Sequence, residues 1–276
     1  MSIDLGFALH PKWVEQSGRE NFLAPLKAAG MTVLEFTLHP EGDEWEPLCA
    51  LAEEGVRAGY RCHFHAPYKD PFNSDGFTMT RGDELKNLYA LPIEFAERMA
   101  RLGNYAPALV IHGAHGKTSL AELTDDTRQF LAWVMGQTRH SRVMLEILPP
   151  KPGYVRMGET YEQVADLVCE FNHPRLNICW DFGHTVLQGY TDAPPDDFLR
   201  RVRHVHIHDI NDAREDHFPL IFGNVPWQDD LRALMRVGFD GAVVMEINGY
   251  RASSVERLNE RLAESFALMS NVLRAA

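Results

Sequence analysis

The sequence predicts an α/β protein built as a single (β/α)₈ barrel over residues 1–276. Short apolar runs alternate with amphipathic segments along the whole chain, and no linker or shift in composition divides it. Such alternation is typical of a parallel sheet, and eight units close into a barrel. A length of 276 residues with 45% hydrophobic residues suits one barrel. The alternative, an open doubly wound sheet, would need a glycine-rich turn after an early strand, which the sequence lacks.

Eight apolar runs are predicted as strands because they are short and bounded by turn formers. The intervening helices are predicted from their apolar periodicity and from the glycines that follow them, such as Gly30, Gly59 and Gly238. The segment 66–81 is the longest loop and has the length of a lid or binding loop. The predicted strands cover residues 3–9, 32–37, 60–65, 108–112, 143–147, 177–181, 204–208 and 242–247, and the helices 21–29, 46–58, 83–102, 120–138, 160–171, 196–202, 227–237 and 254–273.

The charge and the cysteines restrict the class of protein. A formal net charge of −12 disfavours nucleic acid as a partner, because proteins that follow a phosphate backbone usually carry a basic face. The four cysteines show no Cys-x-x-Cys spacing and are predicted to be buried, reduced thiols. The N-terminus has neither a basic segment nor a long apolar one, so neither a signal peptide nor a membrane span is expected. A cytoplasmic protein is predicted.

Residues that can bind metal ions end six of the predicted strands. His204, His206 and His208 share one face of their strand, where a buried strand would ordinarily carry Val or Ile. A surface or hydrogen-bonding role is the alternative for any one such residue. Because the active site of a barrel lies at the C-terminal ends of its strands, the set favours one shared metal site or polar pocket. The other five strand ends carry His65, His112, Glu146, Asp181 and Glu246.

These residues also carry a family resemblance. The chain resembles the xylose-isomerase-like TIM barrels, also called the apurinic-endonuclease family 2 fold, over nearly its whole length. The motifs are weak singly and specific in combination. In order they are His65-Ala66-Pro67-Tyr68, His112-Gly113, Leu145-Glu146, Trp180-Asp181-Phe182-Gly183-His184, His206-Ile207-His208-Asp209, Asp216-His217 and Met245-Glu246.

The resemblance implies a metal-dependent sugar or sugar-phosphate isomerase or epimerase. By motif, Glu146, Asp181, His206 and Glu246 match the four residues that hold one divalent ion in that branch. Three carboxylates and one imidazole suit Mn²⁺, Mg²⁺ or Co²⁺, and also Zn²⁺. Glu146 and Glu246 resemble the acid/base pair that transfers protons while the ion stabilises an ene-diolate. The implied partner is a small-molecule sugar or sugar phosphate, and whether the chain forms a homo-oligomer is left open.

The alternative is the other branch of the family, the multinuclear zinc phosphodiesterases that include endonuclease IV. Its extra ligands match His65, His112, His184 and His217 by motif, and these four can equally bind sugar hydroxyls. That branch pairs its last histidine with an aspartate two positions earlier, where this chain has Glu215, with Asp216 adjacent. This departure, with the acidic charge, favours the isomerase.

Several other residues near the predicted site are given a less specific interpretation. His63, His115, His204 and His208 are predicted to be structural or outer partners of the site. Lys151, Arg156 and Arg214 lie in loops on the active-site side, where a solvated charge is more common than a phosphate contact. Trp13, Phe72, Trp180 and Trp227 are predicted to pack in the core rather than to line a sugar pocket.

Overall fold

The computed structural model contains a closed barrel of eight parallel strands. It describes residues 3–10, 19–190, 194–248, 251 and 254–274. Around the barrel the strands follow the chain order, and the last pairs with the first. The predicted fold class is therefore confirmed. The single domain over residues 1–276 stays a prediction. The barrel strands are β1 Asp4–Ala8, β2 Met31–Thr37, β3 Arg61–His65, β4 Ala108–Ile111, β6 Arg142–Glu146, β8 Leu176–Asp181, β9 Val202–Ile207 and β10 Ala242–Met245.

Helices connect the strands on the outside of the barrel. Among the described residues, no helix is both long and apolar enough to cross a membrane. The helix that contains Pro92 is continuous, although a proline inside a helix removes one backbone hydrogen bond. The helices are α1 Arg19–Ala28, α2 Trp45–Arg57, α3 Gly82–Gly103, α4 Leu120–Gln137, α5 Tyr161–Phe171, α6 Phe182–Gln188, α7 Asp196–Leu199, α8 Trp227–Arg236 and α9 Leu258–Arg274.

Two elements at the C-terminal end of the barrel were not predicted from the sequence. The first is α6, which begins directly after β8 because the Asp181 side chain accepts a hydrogen bond from the His184 backbone N–H and caps the helix. The second is a small antiparallel sheet of β5 His115–Gly116 and β7 Val155–Arg156, two residues each. Both are too short to show a periodicity in the sequence.

Buried carboxylates hold the loops around the barrel mouth. Asp126 accepts hydrogen bonds from the backbone N–H groups of Gly76 and Thr78, at 2.7 and 2.8 Å, and so fixes the long loop 66–81. Asp209 accepts four backbone N–H groups, three of them from the loop 222–224. Backbone groups satisfied in this way give the loops a defined position over the strand ends.

Among the described residues, the predictions about the core are wrong at one position. Phe72, Trp180 and Trp227 are buried, as predicted, whereas Trp13 lies outside the described residues. The expectation of four buried thiols is wrong for Cys169, which is exposed on α5; the other three cysteines are buried. Cys169 is on the solvent face of an amphipathic helix, which a local apolar run does not reveal.

Candidate metal centre

Four side chains converge at the C-terminal end of the barrel. Glu146 and Asp181 are the last residues of β6 and β8, His206 lies near the end of β9, and Glu246 follows β10. One ligand atom from each lies within 4.8 Å of the ligand atoms of the other three. His206 Nδ1 is 3.2 Å from Glu246 Oε2 and 3.4 Å from Glu146 Oε1. The four residues predicted from the sequence as metal ligands thus share one place, and their role as ligands stays a prediction.

The donor atoms of this central group fit a divalent cation. Asp181 is fully buried, and its Oδ2 atom accepts no hydrogen bond from a described residue. An unpaired buried carboxylate oxygen is costly, and a bound cation removes that cost. Three carboxylates placed together would also repel each other without a positive charge between them. One imidazole and three carboxylates are ligands that Mn²⁺, Mg²⁺, Co²⁺ and Zn²⁺ accept.

A second group lies on the β3 and β4 side of the centre. His112 Nε2 and His65 Nε2 are 2.8 and 3.1 Å from Glu146 Oε2, and the three residues form a set that can hold a metal ion. The Tyr68 ring packs against His112 with 4.4 Å between ring centroids. Burial lowers the pKa of His112 to about 4, although Glu146 opposes this change. This change favours the neutral imidazole, which is the form that a metal ligand requires.

A third group lies on the opposite side and shares Asp181 with the centre. His184 Nδ1 is 3.4 Å from Asp181 Oδ2, and His208 Nε2 is 3.1 Å from Asp181 Oδ1. His208 and His217 stack with their ring centroids 4.2 Å apart. The four residues form a set that can hold a metal ion. A side chain at Gly183 would overlap the His208 ring, so glycine at that position allows the close packing.

The loop that carries His217 is held in a strained conformation. His217 has a φ of 61°, in the left-handed region that non-glycine residues rarely adopt. Its Nδ1 is 3.1 Å from Asp216 Oδ1, and its Nε2 is 3.6 Å from Glu246 Oε2. Burial opposes the charged form, but Asp216 and Glu246 raise the pKa of His217 well above its usual value. Glu215 instead pairs with Arg251 and accepts from Asn211, so it is turned away from the group.

Glu35, which contacts the far side of the His206 ring, was not predicted from the sequence as a site residue. Glu35 on β2 is 1% exposed, and its two oxygens lie 2.8 Å from His206 Nε2 and 2.7 Å from His204 Nε2. Burial alone would raise the pKa of Glu35, but these two imidazoles hold it well below its usual range. Nε2 of His206 is therefore the nitrogen that donates to Glu35, and Nδ1 is the nitrogen that faces Glu146 and Glu246. A single glutamate inside the apolar strand Met31–Thr37 was the signal available in the sequence.

His208 also has a defined orientation. Its Nδ1 accepts a hydrogen bond from the backbone N–H of His217 at 3.0 Å. Its Nε2–H is thus left to donate to Asp181 Oδ1. His208 therefore orients Asp181 in the way that Glu35 orients His206.

A cavity of about 400 Å³ opens beside the central group. Its lining residues include Glu246, His217, Tyr68, Lys69 and His39. Volumes of this size are typical of small-molecule sites. Glu246 is the one member of the central group that lines this cavity.

Comparisons with known proteins agree with this architecture. The family described as xylose isomerase-like TIM barrel matches residues 23–272. A curated relative, an uncharacterised protein of Methanocaldococcus jannaschii, is 27% identical over 139 residues, which is 45% of this chain and only 45% of that protein.

Three solved structures show the same fold over nearly the whole chain. A D-tagatose 3-epimerase-like protein has a TM-score of 0.70 at 19% identity and covers 99% of this chain and 100% of its own. D-psicose 3-epimerase of Clostridium cellulolyticum H10 has a TM-score of 0.67 at 14% identity, covering 98% and 99%. L-ribulose 3-epimerase has a TM-score of 0.69 at 16% identity, covering 99% and 95%.

Proposed function

Since the chain belongs to the xylose isomerase-like TIM-barrel family, we propose that it is a divalent-metal-dependent isomerase or epimerase of a sugar or sugar phosphate. The observation that carries the proposal is the group Glu146, Asp181, His206 and Glu246, in which both glutamates lie close to Nδ1 of one imidazole. The structural relatives named above are sugar 3-epimerases or resemble one, which supports the same class of reaction.

The roles of the residues follow from their surroundings. A bound divalent ion would supply Lewis acidity that polarises a carbonyl and an adjacent hydroxyl of the substrate. Burial alone would raise the pKa of Glu246, but His206 and His217 lower it strongly, so the carboxylate is available to accept a proton from a substrate carbon. Glu146, deeper in the barrel, is the partner that returns a proton. His184 and His217 are placed to bind sugar hydroxyls.

Solvent proton exchange tests this proposal. The protein loaded with Mn²⁺ is incubated in D₂O with a panel of ketoses, and deuterium at the carbon next to the carbonyl is measured. We expect incorporation in the wild type and a loss of roughly 10²–10⁴-fold in Glu246→Gln, because the amide cannot accept the proton. Glu215→Gln is the matched control, since Glu215 lies on the same face but pairs with Arg251. Equal exchange in Glu246→Gln and wild type would remove Glu246 from the mechanism.

A multinuclear zinc phosphodiesterase is the second candidate function. The observation in its favour is that the groups His65–His112–Glu146 and Asp181–His184–His208–His217 each share a carboxylate with the central group. Shared carboxylates are suited to bridging neighbouring ions, and clustered ions stabilise charge on phosphate oxygens. Glu215 counts against this candidate, because it stands where the zinc branch has an aspartate and it pairs with Arg251.

Metal content and His217→Ala separate the two candidates. For the isomerase we expect one ion per chain, and a modest rise in KM or fall in kcat for a ketose in His217→Ala, with the bound ion retained. Two or three zinc ions per chain, with phosphodiester cleavage that disappears together with one zinc in His217→Ala, would establish the hydrolase and contradict the isomerase.

A further inference from the structure

One edge of the Arg156 guanidinium has no hydrogen-bond partner among the residues that the structure describes. Arg156 lies on β7, and its Nη1 donates a hydrogen bond to the Pro149 carbonyl oxygen at 2.7 Å. Its Nε atom is buried and donates to no described residue, and no described residue accepts from Nη2 either. The N–H groups of Nε and Nη2 point in the same direction, and together they form an edge that binds both oxygens of a carboxylate or phosphate.

The charge of Arg156 also lacks a counter-ion among the described residues. Burial lowers the pKa of Arg156, and the charges of Glu159, Glu146 and Tyr68 oppose this change. No described carboxylate forms an ion pair with the Arg156 guanidinium. A half-buried cation without a paired anion costs free energy. The chain has a net charge of −12, yet none of its described carboxylates pairs with Arg156. An anionic ligand would satisfy both the free edge and the charge.

A second cation is fixed beside Arg156. Lys151 Nζ lies 3.0 Å from His115 Nε2 and 4.4 Å from the centroid of the Tyr154 ring. Burial and the nearby Lys151 lower the pKa of His115 to about 4, so the neutral imidazole accepts a hydrogen bond from the ammonium group. His115 is in turn the residue that pairs with Arg156 across the β5–β7 sheet. The small sheet therefore orders two positive groups on the active-site face.

We propose that the substrate carries a terminal anionic group, a phosphate or a carboxylate, which Arg156 binds through its Nε and Nη2 atoms with Lys151 nearby. This inference rests on the proposed function, because it assigns the anion to the molecule that is epimerised or isomerised. The position suits a small molecule: the charge of Arg156 acts on both Glu146 and Tyr68, and Tyr68 lines the cavity beside the central group. A ligand held at Arg156 by its anionic end can therefore extend towards the proton-transferring glutamates.

Three ligands with one carbon skeleton test the proposal. Dissociation constants of D-fructose, D-fructose 6-phosphate and D-fructuronate are measured by calorimetry on the Mn²⁺-loaded protein, in the wild type, Arg156→Gln and Lys117→Gln. Lys117 is exposed on the segment that follows β5, so its variant removes one charge without touching the guanidinium. Arg156→Lys, which keeps the charge and lacks the double edge, is the second variant if Arg156→Gln unfolds.

We expect the wild type to bind at least one anionic ligand 10-fold or more tightly than fructose. The more tightly bound of the two anions shows whether the group is a phosphate or a carboxylate. Arg156→Gln should weaken that ligand roughly 10- to 100-fold, since hydrogen bonds to charged groups are strong, and leave fructose unchanged. Lys117→Gln should change none of the three. Equal affinities in the wild type, or an unchanged constant for both anions in Arg156→Gln and Arg156→Lys, would overturn the proposal.

Deuterium exchange in the same samples separates this proposal from the proposed function. Exchange into fructose without any preference for an anion would overturn the Arg156 subsite alone. A preference for an anion that depends on Arg156, with no exchange into any of the three ligands, would support the subsite and contradict the isomerase.

Discussion

Asp181 is the last residue of β8, and Asp209 follows the neighbouring strand β9. Both are buried, at 0% and 1% exposure, yet their carboxylate oxygens have different hydrogen-bond partners. Asp209 accepts four hydrogen bonds from the backbone N–H groups of Ile210, Phe222, Gly223 and Asn224, two on each oxygen. Asp181 uses only Oδ1, which accepts from the His184 backbone and from His208 Nε2.

The difference teaches that burial alone does not identify a functional carboxylate. A buried acid whose oxygens are all occupied by backbone donors stabilises a loop, and it has no lone pair left for another ligand. A buried acid that lies in a group with other acids, and has an oxygen without a hydrogen bond, is stabilised by a bound cation. Asp181 belongs to the second kind, and this is the physical basis for placing a metal ion at the barrel mouth rather than at Asp209.

Replacing Asp181 should produce the largest effect. Asp181→Asn keeps an oxygen for the His184 backbone but loses the anionic Oδ2, so we expect metal affinity to fall by more than the roughly 10–100-fold typical of outer partners, and proton exchange to disappear with it. Metal titration with a chelator competitor measures the first effect, and D₂O exchange the second. Wild-type affinity in Asp181→Asn would remove this residue from the metal site.

Replacing Glu35 should have an intermediate effect. Glu35→Gln weakens the acceptor that holds the His206 proton on Nε2, so we predict a loss of roughly 10–100-fold in metal affinity without loss of fold. The absorption spectrum of the Co²⁺-loaded protein should also change, because the imidazole turns. Glu97→Gln is the matched control, since Glu97 is a buried glutamate far from the metal centre that accepts the backbone N–H groups of residues 139–141. If both variants bind metal as the wild type does, Glu35 has only a structural role.

Replacing Asp209 should have the smallest effect on metal binding and a clear effect on stability. Asp209→Asn replaces one acceptor oxygen by a donor that faces two backbone N–H groups, so we expect the free energy of unfolding to fall by roughly 1–3 kcal/mol. Metal affinity should be unchanged. Chemical denaturation of the metal-free protein measures the stability, and Asp181→Asn should lose less in the same assay. A larger loss of unfolding free energy in Asp181→Asn than in Asp209→Asn would contradict the comparison between the two aspartates.

Much of the fold was predictable from the sequence because its signals are local. Alternating apolar runs and terminal glycines mark the eight strands and most of the helices, and strand ends such as Glu146 and Asp181 follow from the strands. The small sheet of β5 and β7 was not predictable, because its two-residue strands pair segments about 40 residues apart in the chain. Helix α6 is likewise too short to carry a periodic pattern.

At the site, too, contacts between distant residues could not be predicted from the sequence. The sequence indicates that His206 is a candidate ligand, but which nitrogen is free depends on Glu35, 171 residues earlier. The direction of Glu215 depends on its pairing with Arg251, and the free edge of Arg156 depends on the carbonyl of Pro149. Such contacts are set by tertiary packing, so a motif in the sequence can name the ligands without showing their orientation.

The most direct test of the central claim is the position of a bound ion. Crystals grown with Mn²⁺ and measured at the manganese absorption edge would locate the metal by anomalous scattering. We predict a main peak at roughly 2.0–2.3 Å from oxygen atoms of Glu146, Asp181 and Glu246 and from Nδ1 of His206. A main peak elsewhere, or crystals of active protein without a peak among these four residues, would contradict the account.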